Sequence, residues 1–72
     1  MTTQEEVIHS IIRYCAKEYN ENRERYLDEN ELIDLDLMAY ECKVDLELTI
    51  SYKEVQLIVY QWYDKLNLIQ NQ

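Results

Sequence analysis

No glycine and no proline occurs anywhere in the 72 residues. The two strongest punctuators of a polypeptide are missing, so nothing marks a linker, a second domain or a low-complexity segment, and residues 1–72 read as one small domain. Glycine-rich phosphate loops go with them, and no cofactor is expected. A domain of this size buries only about 60% of the surface that its unfolded chain exposes. Such a thin core usually works beside a disulfide, a metal or a second subunit.

Cys15 and Cys42 lack framework spacing, and no charged stretch followed by an apolar one opens the chain. Both are expected to be reduced core thiols of a cytoplasmic protein. The longest apolar runs, LMAY and LIVY, hold four residues each, far short of the roughly 20 that a membrane span needs.

Fifteen acidic and seven basic residues give a formal charge of −8. That balance opposes a direct electrostatic grip on nucleic acid or on an anionic bilayer. The charge is also local: residues 18–47 contain 11 acids and three bases, whereas the rest contains four of each and cancels. Inside that window ENRERYLDENELIDLD, residues 21–36, sets seven carboxylates against Arg23 and Arg25. An apolar content of 47% is too high for a disordered acidic tail, so the window belongs to the fold.

Hydrophobic spacing predicts a mainly α, three-helix domain. Thr3 is placed to cap a first helix over about residues 4–27, with Glu5 and Glu6 at the positive end of its dipole. Ile8, Ile11, Ile12, Cys15, Tyr19 and Tyr26 form the stripe it would bury, widened by Val7 and Tyr14, with Glu21, Glu24 and Asp28 on the far side. Asp28 and Glu31 have the spacing of a capping box, which predicts a second helix over about 29–43. A β-hairpin of 32–37 with 42–50 competes, because Cys42, Val44, Leu46, Leu48 and Ile50 alternate with polar residues. Its MAYE turn lacks the Gly, Asn or Asp of tight hairpins, so the helix is preferred, followed by an extended, β-capable connection at 44–50. Ser51 and Glu54 form a capping box that opens a third helix over about 52–68. Its main face carries Tyr52, Val55, Ile58, Val59, Trp62, Tyr63, Leu66 and Ile69, while Leu57, Tyr60 and Leu68 fall on the other side.

Little in the sequence points to catalysis. His9 is the only histidine and has no patterned nucleophile or carboxylate partner, Ser10 has no nucleophile context, and Ser51 is a cap. No set of complementary catalytic roles can be assigned, and an enzyme is not expected. Asp34 and Asp36 begin like a calcium loop, but Met38, Ala39 and Asp45 stand where a ligand, a glycine and a glutamate are required. No metal site is expected.

The expectation is a non-enzymatic interaction protein. Clustered like charge opposes folding through self-repulsion, a cost that a partner of opposite charge would explain. On one helical face Glu21, Glu24 and Asp28 would recur about 4.5–6 Å apart, near the phosphate spacing along a DNA strand. With Glu31, Asp34 and Asp36 they are the candidate partner-binding residues, the partner being a basic, nucleic-acid-binding protein and this chain its inhibitor or DNA mimic. Size and charge resemble those of small acidic phage proteins. Two alternatives stand beside that reading. The order helix, short connection, helix resembles a helix-turn-helix, which implies a dimeric regulator, although SYKEVQ offers a single lysine to phosphates. A small structural or adaptor subunit would instead use Leu57, Tyr60 and Leu68, which could equally join a homodimer.

Overall fold

The computed structural model describes residues 4–70, with side chains as far as Leu68. The expected Thr3 cap and the Ile69 side chain lie outside the described residues. Three α-helices form, α1 (Gln4–Glu21), α2 (Leu35–Asp45) and α3 (Tyr52–Gln70), with a short 3-10 turn (Arg23–Tyr26) between the first two. This is the three-helix architecture that the spacing predicts. Ile11 and Cys15 of α1, Tyr26 of the turn, Met38, Ala39 and Cys42 of α2, and Val55 and Val59 of α3 are fully buried and make one cluster.

The order of contacts gives the packing. Tyr14 reaches Asp45, while Glu18 reaches Glu41 through the Tyr26 hydroxyl, so α2 runs back along α1. Tyr52 meets Tyr40 and Tyr60 meets Asp36, so α3 runs back along α2. Tyr19 of α1 stands edge-on to Trp62 and Tyr63 of α3, with ring centroids 5.8 and 6.4 Å apart, an arrangement aromatic pairs favour. Cys15 and Cys42 are unbridged and buried; contact with the Cys42 thiol and burial push the Cys15 thiol up and keep it protonated.

The first helix stops sooner than its stripe suggests. Asn22 leaves the helix at φ −130°, and its side-chain amide turns back to the Glu18 carboxylate. Tyr26 therefore enters the core from a 3-10 turn rather than from α1.

Asp28 caps no helix. The chain doubles back between Tyr26 and Asp34 through Asp34 N–H to the Tyr26 carbonyl (2.6 Å), Asp28 N–H to the Leu32 carbonyl (2.9 Å) and an isolated antiparallel bridge between Leu27 and Ile33. Asp28 Oδ1 accepts the N–H groups of Asn30 (2.8 Å) and Leu32 (3.0 Å), the local turn chemistry that aspartate offers. Residues 29–34 are consequently not helical, and α2 starts behind Asp34, whose Oδ1 accepts the Leu37 N–H at 3.1 Å.

At its other end α2 runs on to Asp45 and closes in a Schellman turn. Leu48 N–H reaches the Lys43 carbonyl (3.0 Å) and Glu47 N–H the Val44 carbonyl (3.2 Å). Lys43 Nζ then donates to the carbonyls of Leu48 (2.9 Å) and Ile50 (2.7 Å), which satisfies backbone oxygens that no strand takes up. The β-capable connection is thus a capped turn, and among the described residues no strand pairs with it. Ser51 Oγ accepts the Glu54 N–H at 3.2 Å and opens α3 as its capping spacing predicts. In the absence of glycine, glutamate takes both left-handed positions, Glu31 at φ 62° and Glu47 at φ 52°, each at a cost of about 1–2 kcal/mol.

Candidate partner-binding surface

The acidic segment is anchored by a polar cluster built around the buried Glu18 and Tyr26. Glu18 is only 8% exposed. Its carboxylate accepts from the Asn22 amide and, at 2.9 Å, from the fully buried Tyr26 hydroxyl. Glu41 Oε2 lies 3.3 Å from the same hydroxyl, and Glu41 Oε1 pairs with Arg25 at 2.7 Å. Tyr14 donates to Asp45 at 2.5 Å beside them. The Asn22 amide, followed by the tyrosine hydroxyls, holds the Glu18 carboxyl below the usual carboxylate range, against burial, which acts the other way. Burial pushes the Tyr26 phenol up, with the Glu18 hydrogen bond adding to it, so the phenol keeps its proton for the carboxylates. The Tyr14 phenol is pushed up by burial and then by Asp45. The cluster ties α1, the 3-10 turn and α2 together at the root of the acidic segment.

Oxygens of Glu18, Glu41 and Asp45 lie within 4.8 Å of one another, which would suit a hard cation. Each carboxylate already has donors, however: Asn22 and Tyr26 for Glu18, Arg25 and Tyr26 for Glu41, Tyr14 for Asp45. With these donors in place, the arrangement reads as a hydrogen-bonded acid and tyrosine cluster.

All six predicted partner-binding acids, Glu21, Glu24, Asp28, Glu31, Asp34 and Asp36, are exposed, and so is Glu29 between them. They do not form one helical row. Glu21 ends α1, Glu24 sits in the 3-10 turn and Asp28 holds the reversal, so no continuous helix imposes a phosphate-like spacing on them. Three of the six also have structural work: Asp28 in its turn, Asp34 as a cap, and Asp36 as the acceptor for Gln56 and Tyr60. Glu21, Glu24, Glu29 and Glu31 remain as the carboxylates with no such task.

The bases of the acidic window all have partners outside the exposed acidic row. Arg25 pairs with Glu41, the single ion pair among the described residues. Arg23 lies over the Tyr19 ring, 4.0 Å from its centroid, and donates to the Tyr19 carbonyl at 3.2 Å. Lys43 caps the end of α2. No exposed acid of residues 21–36 forms an ion pair among the described residues.

A second surface forms where α2 and α3 meet. Asp36, in the first turn of α2, accepts from Gln56 Nε2 (3.0 Å) and from the Tyr60 hydroxyl through the same Oδ1, and its backbone carbonyl accepts the Tyr52 hydroxyl at 2.8 Å. The Tyr60 phenol is raised by its hydrogen bond to Asp36 and then by burial. Tyr40, one turn along α2, is 58% exposed and lies edge-on to Tyr52. Sequence reasoning placed Asp36 in an acidic row and Tyr60 in an apolar contact; packing brings them into one site that no local pattern could show. Leu57 and Leu68 are 52% and 66% exposed, on the outer side of α3 where the helical spacing placed them.

His9 is exposed and among the described residues bonds no nucleophile, and Ser10 Oγ is spent on the Glu6 carbonyl at 2.9 Å. Among the described residues no helix is long and apolar enough to cross a membrane. Comparison with protein-family models, curated proteins and solved structures finds no match.

Proposed function

We propose that this chain is a non-enzymatic interaction protein whose exposed acidic segment binds a basic surface of another protein, of the kind that itself handles nucleic acid. One observation supports this above the others: seven exposed carboxylates in residues 21–36 make no ion pair among the described residues, because Arg23, Arg25 and Lys43 have other partners. A surface kept merely soluble would mix its charges. Here the field is left uncompensated, which favours fast, salt-sensitive association with a positive partner. Mimicry of a regular phosphate row loses its geometric basis with the break after Glu21; what remains is inhibition or recruitment through charge. The α3 outer face favours a helix-turn-helix regulator less, since its exposed lysines, Lys53 and Lys65, are offset by the exposed Glu54 and Asp64.

A structural or adaptor role is the second reading, supported by the exposure of Leu57 and Leu68. Capture from lysate discriminates the two when done with the wild type, with Glu21, Glu24, Glu29 and Glu31 all changed to Gln, and with Leu57→Glu. Loss of salt-eluted, DNA-displaced basic proteins in the quadruple variant alone supports the acidic surface. Partners that survive high salt and the glutamine variant, and are lost with Leu57→Glu, overturn it in favour of the adaptor.

A further inference from the structure

We infer that the seam between α2 and α3 is an arginine-binding subsite, in which Asp36 takes a guanidinium from the partner protein and the Tyr40 and Tyr60 rings flank it. The inference rests on the acidic-surface reading above, and names the anchor within it.

Asp36 differs from the other exposed acids in being fixed. Its Oδ1 accepts two donors from α3, the Gln56 amide and the Tyr60 hydroxyl, so the side chain is held against the seam and loses little freedom when a ligand arrives. Oδ2 has no donor among the described residues, and Asp36 is an exposed residue. The carboxylate therefore has one oxygen committed to the scaffold and one open, the geometry of a preorganised acceptor.

The rings beside it suit a planar cation. Tyr40 follows Asp36 by four residues on α2, which puts the two side chains on one helical face. The residue is 58% exposed and its ring is braced edge-on by Tyr52 at 6.3 Å, which orients it. Tyr60 is 36% exposed on the other flank. A guanidinium can stack on a tyrosine face and donate to a carboxylate at once, whereas an ammonium is a more strongly hydrated point charge that gains less from the stack. The molecule makes this contact once on its own account, with Arg23 at 4.0 Å over the Tyr19 ring.

Charge complementarity selects the same ligand. Asp34 stands two residues before Asp36 at the start of α2, and the two carboxylates outweigh the positive helix end, which is equivalent to roughly half a charge. The nearest lysine on that side of α3, Lys53, is seven residues from Tyr60, about 10 Å along the axis. Leu57, on the same side of α3, offers apolar area to the methylene stem of the incoming arginine.

The test uses the full chain, isotopically labelled, and an oligoarginine peptide as probe, followed by chemical-shift perturbation at low salt. Saturable shifts at Asp36, Tyr40, the Gln56 side-chain amide and Tyr60 are expected, with weaker perturbation by oligolysine of the same length. Asp36→Asn should weaken oligoarginine about tenfold, the order of a lost charge-assisted hydrogen bond, at 1.4 kcal/mol per decade. Tyr40 is 58% exposed, so Tyr40→Ala should weaken it severalfold with the fold unchanged, which keeps the result readable if Asp36→Asn loosens the seam. The quadruple glutamine variant at 21, 24, 29 and 31 should keep the seam shifts. Binding confined to residues 21–31, with Asp36→Asn and Tyr40→Ala indistinguishable from wild type, overturns the arginine subsite and leaves the acidic-surface reading standing. No binding of oligoarginine at any salt overturns both.

Discussion

Replacing Tyr26 by Phe removes one oxygen from the centre of the polar cluster and nothing else. The hydroxyl is fully buried and donates to Glu18 at 2.9 Å, with Glu41 Oε2 at 3.3 Å. A hydrogen bond to an ionised group contributes about 1.5–3 kcal/mol. Glu18 keeps the Asn22 amide, so it is not left entirely without a donor, and the expected loss falls near the middle of that range, about 2 kcal/mol. For a domain of this length that corresponds to a fall in Tm of about 8–16 °C. The pH dependence follows from Glu18, whose carboxyl lies below its unfolded value in the native state. Its contribution is therefore present above the unfolded carboxylate pKa, about 4.3, and is lost as pH falls through the lower native value. The gap between wild type and Tyr26→Phe should be widest at neutral pH and shrink toward about 1 kcal/mol in acid, where the acceptor is neutral. Urea unfolding read by Trp62, which lies against Tyr19, measures both ends, provided the denaturant slopes agree. A neutral-pH gap below about 0.5 kcal/mol, or one that widens in acid, would refute this assignment of the cluster.

Three further outcomes are expected. Glu31→Gly and Glu47→Gly, at the two left-handed positions, should each stabilise by about 0.5–1 kcal/mol, the relief of backbone strain less the entropy that glycine adds to the unfolded chain; a lower Tm for either would contradict the turn geometry. Asp34→Ala should cost about 1 kcal/mol and speed hydrogen exchange at the Leu37 amide, since the cap of α2 is lost. Lys43→Met should cost about 1–2 kcal/mol and expose the α2–α3 turn to proteolysis, whereas an unchanged Tm would show that the Leu48 and Ile50 carbonyls find water equally well.

The parts of the fold that depend on near neighbours in sequence were legible. Ser51 and Glu54 stand three apart ahead of an apolar stripe, and α3 starts there. Ile11 and Cys15 repeat at helical spacing and are buried. Tyr26 also fits that spacing and is buried, yet it reaches the core from a separate turn, because Asn22 bonds back to Glu18 and ends α1. Periodicity records the distance to the next apolar residue and says nothing of a side chain that closes a helix. The α2 pattern looked diffuse for a related reason. Met38, Ala39 and Cys42 face the core, while Tyr40 and Val44 are apolar residues on the exposed side, so no single stripe stands out. Asp28 and Asp34 are chemically the same residue six positions apart, and the choice of cap was decided by the reversal that joins Tyr26 to Asp34. The pairing of Asp36 with Tyr60 spans 24 residues and follows only from packing.

The central claim, that uncompensated carboxylates drive association with a basic partner, is tested most directly by association rates. Stopped-flow mixing of the purified partner with wild type and with the glutamine variant at 21, 24, 29 and 31, between about 0.05 M and about 0.5 M salt, isolates the long-range term. The account predicts that the wild type associates at least about tenfold faster at low salt and that the two converge as salt rises. Rates that are equal for the two proteins and indifferent to salt would contradict it.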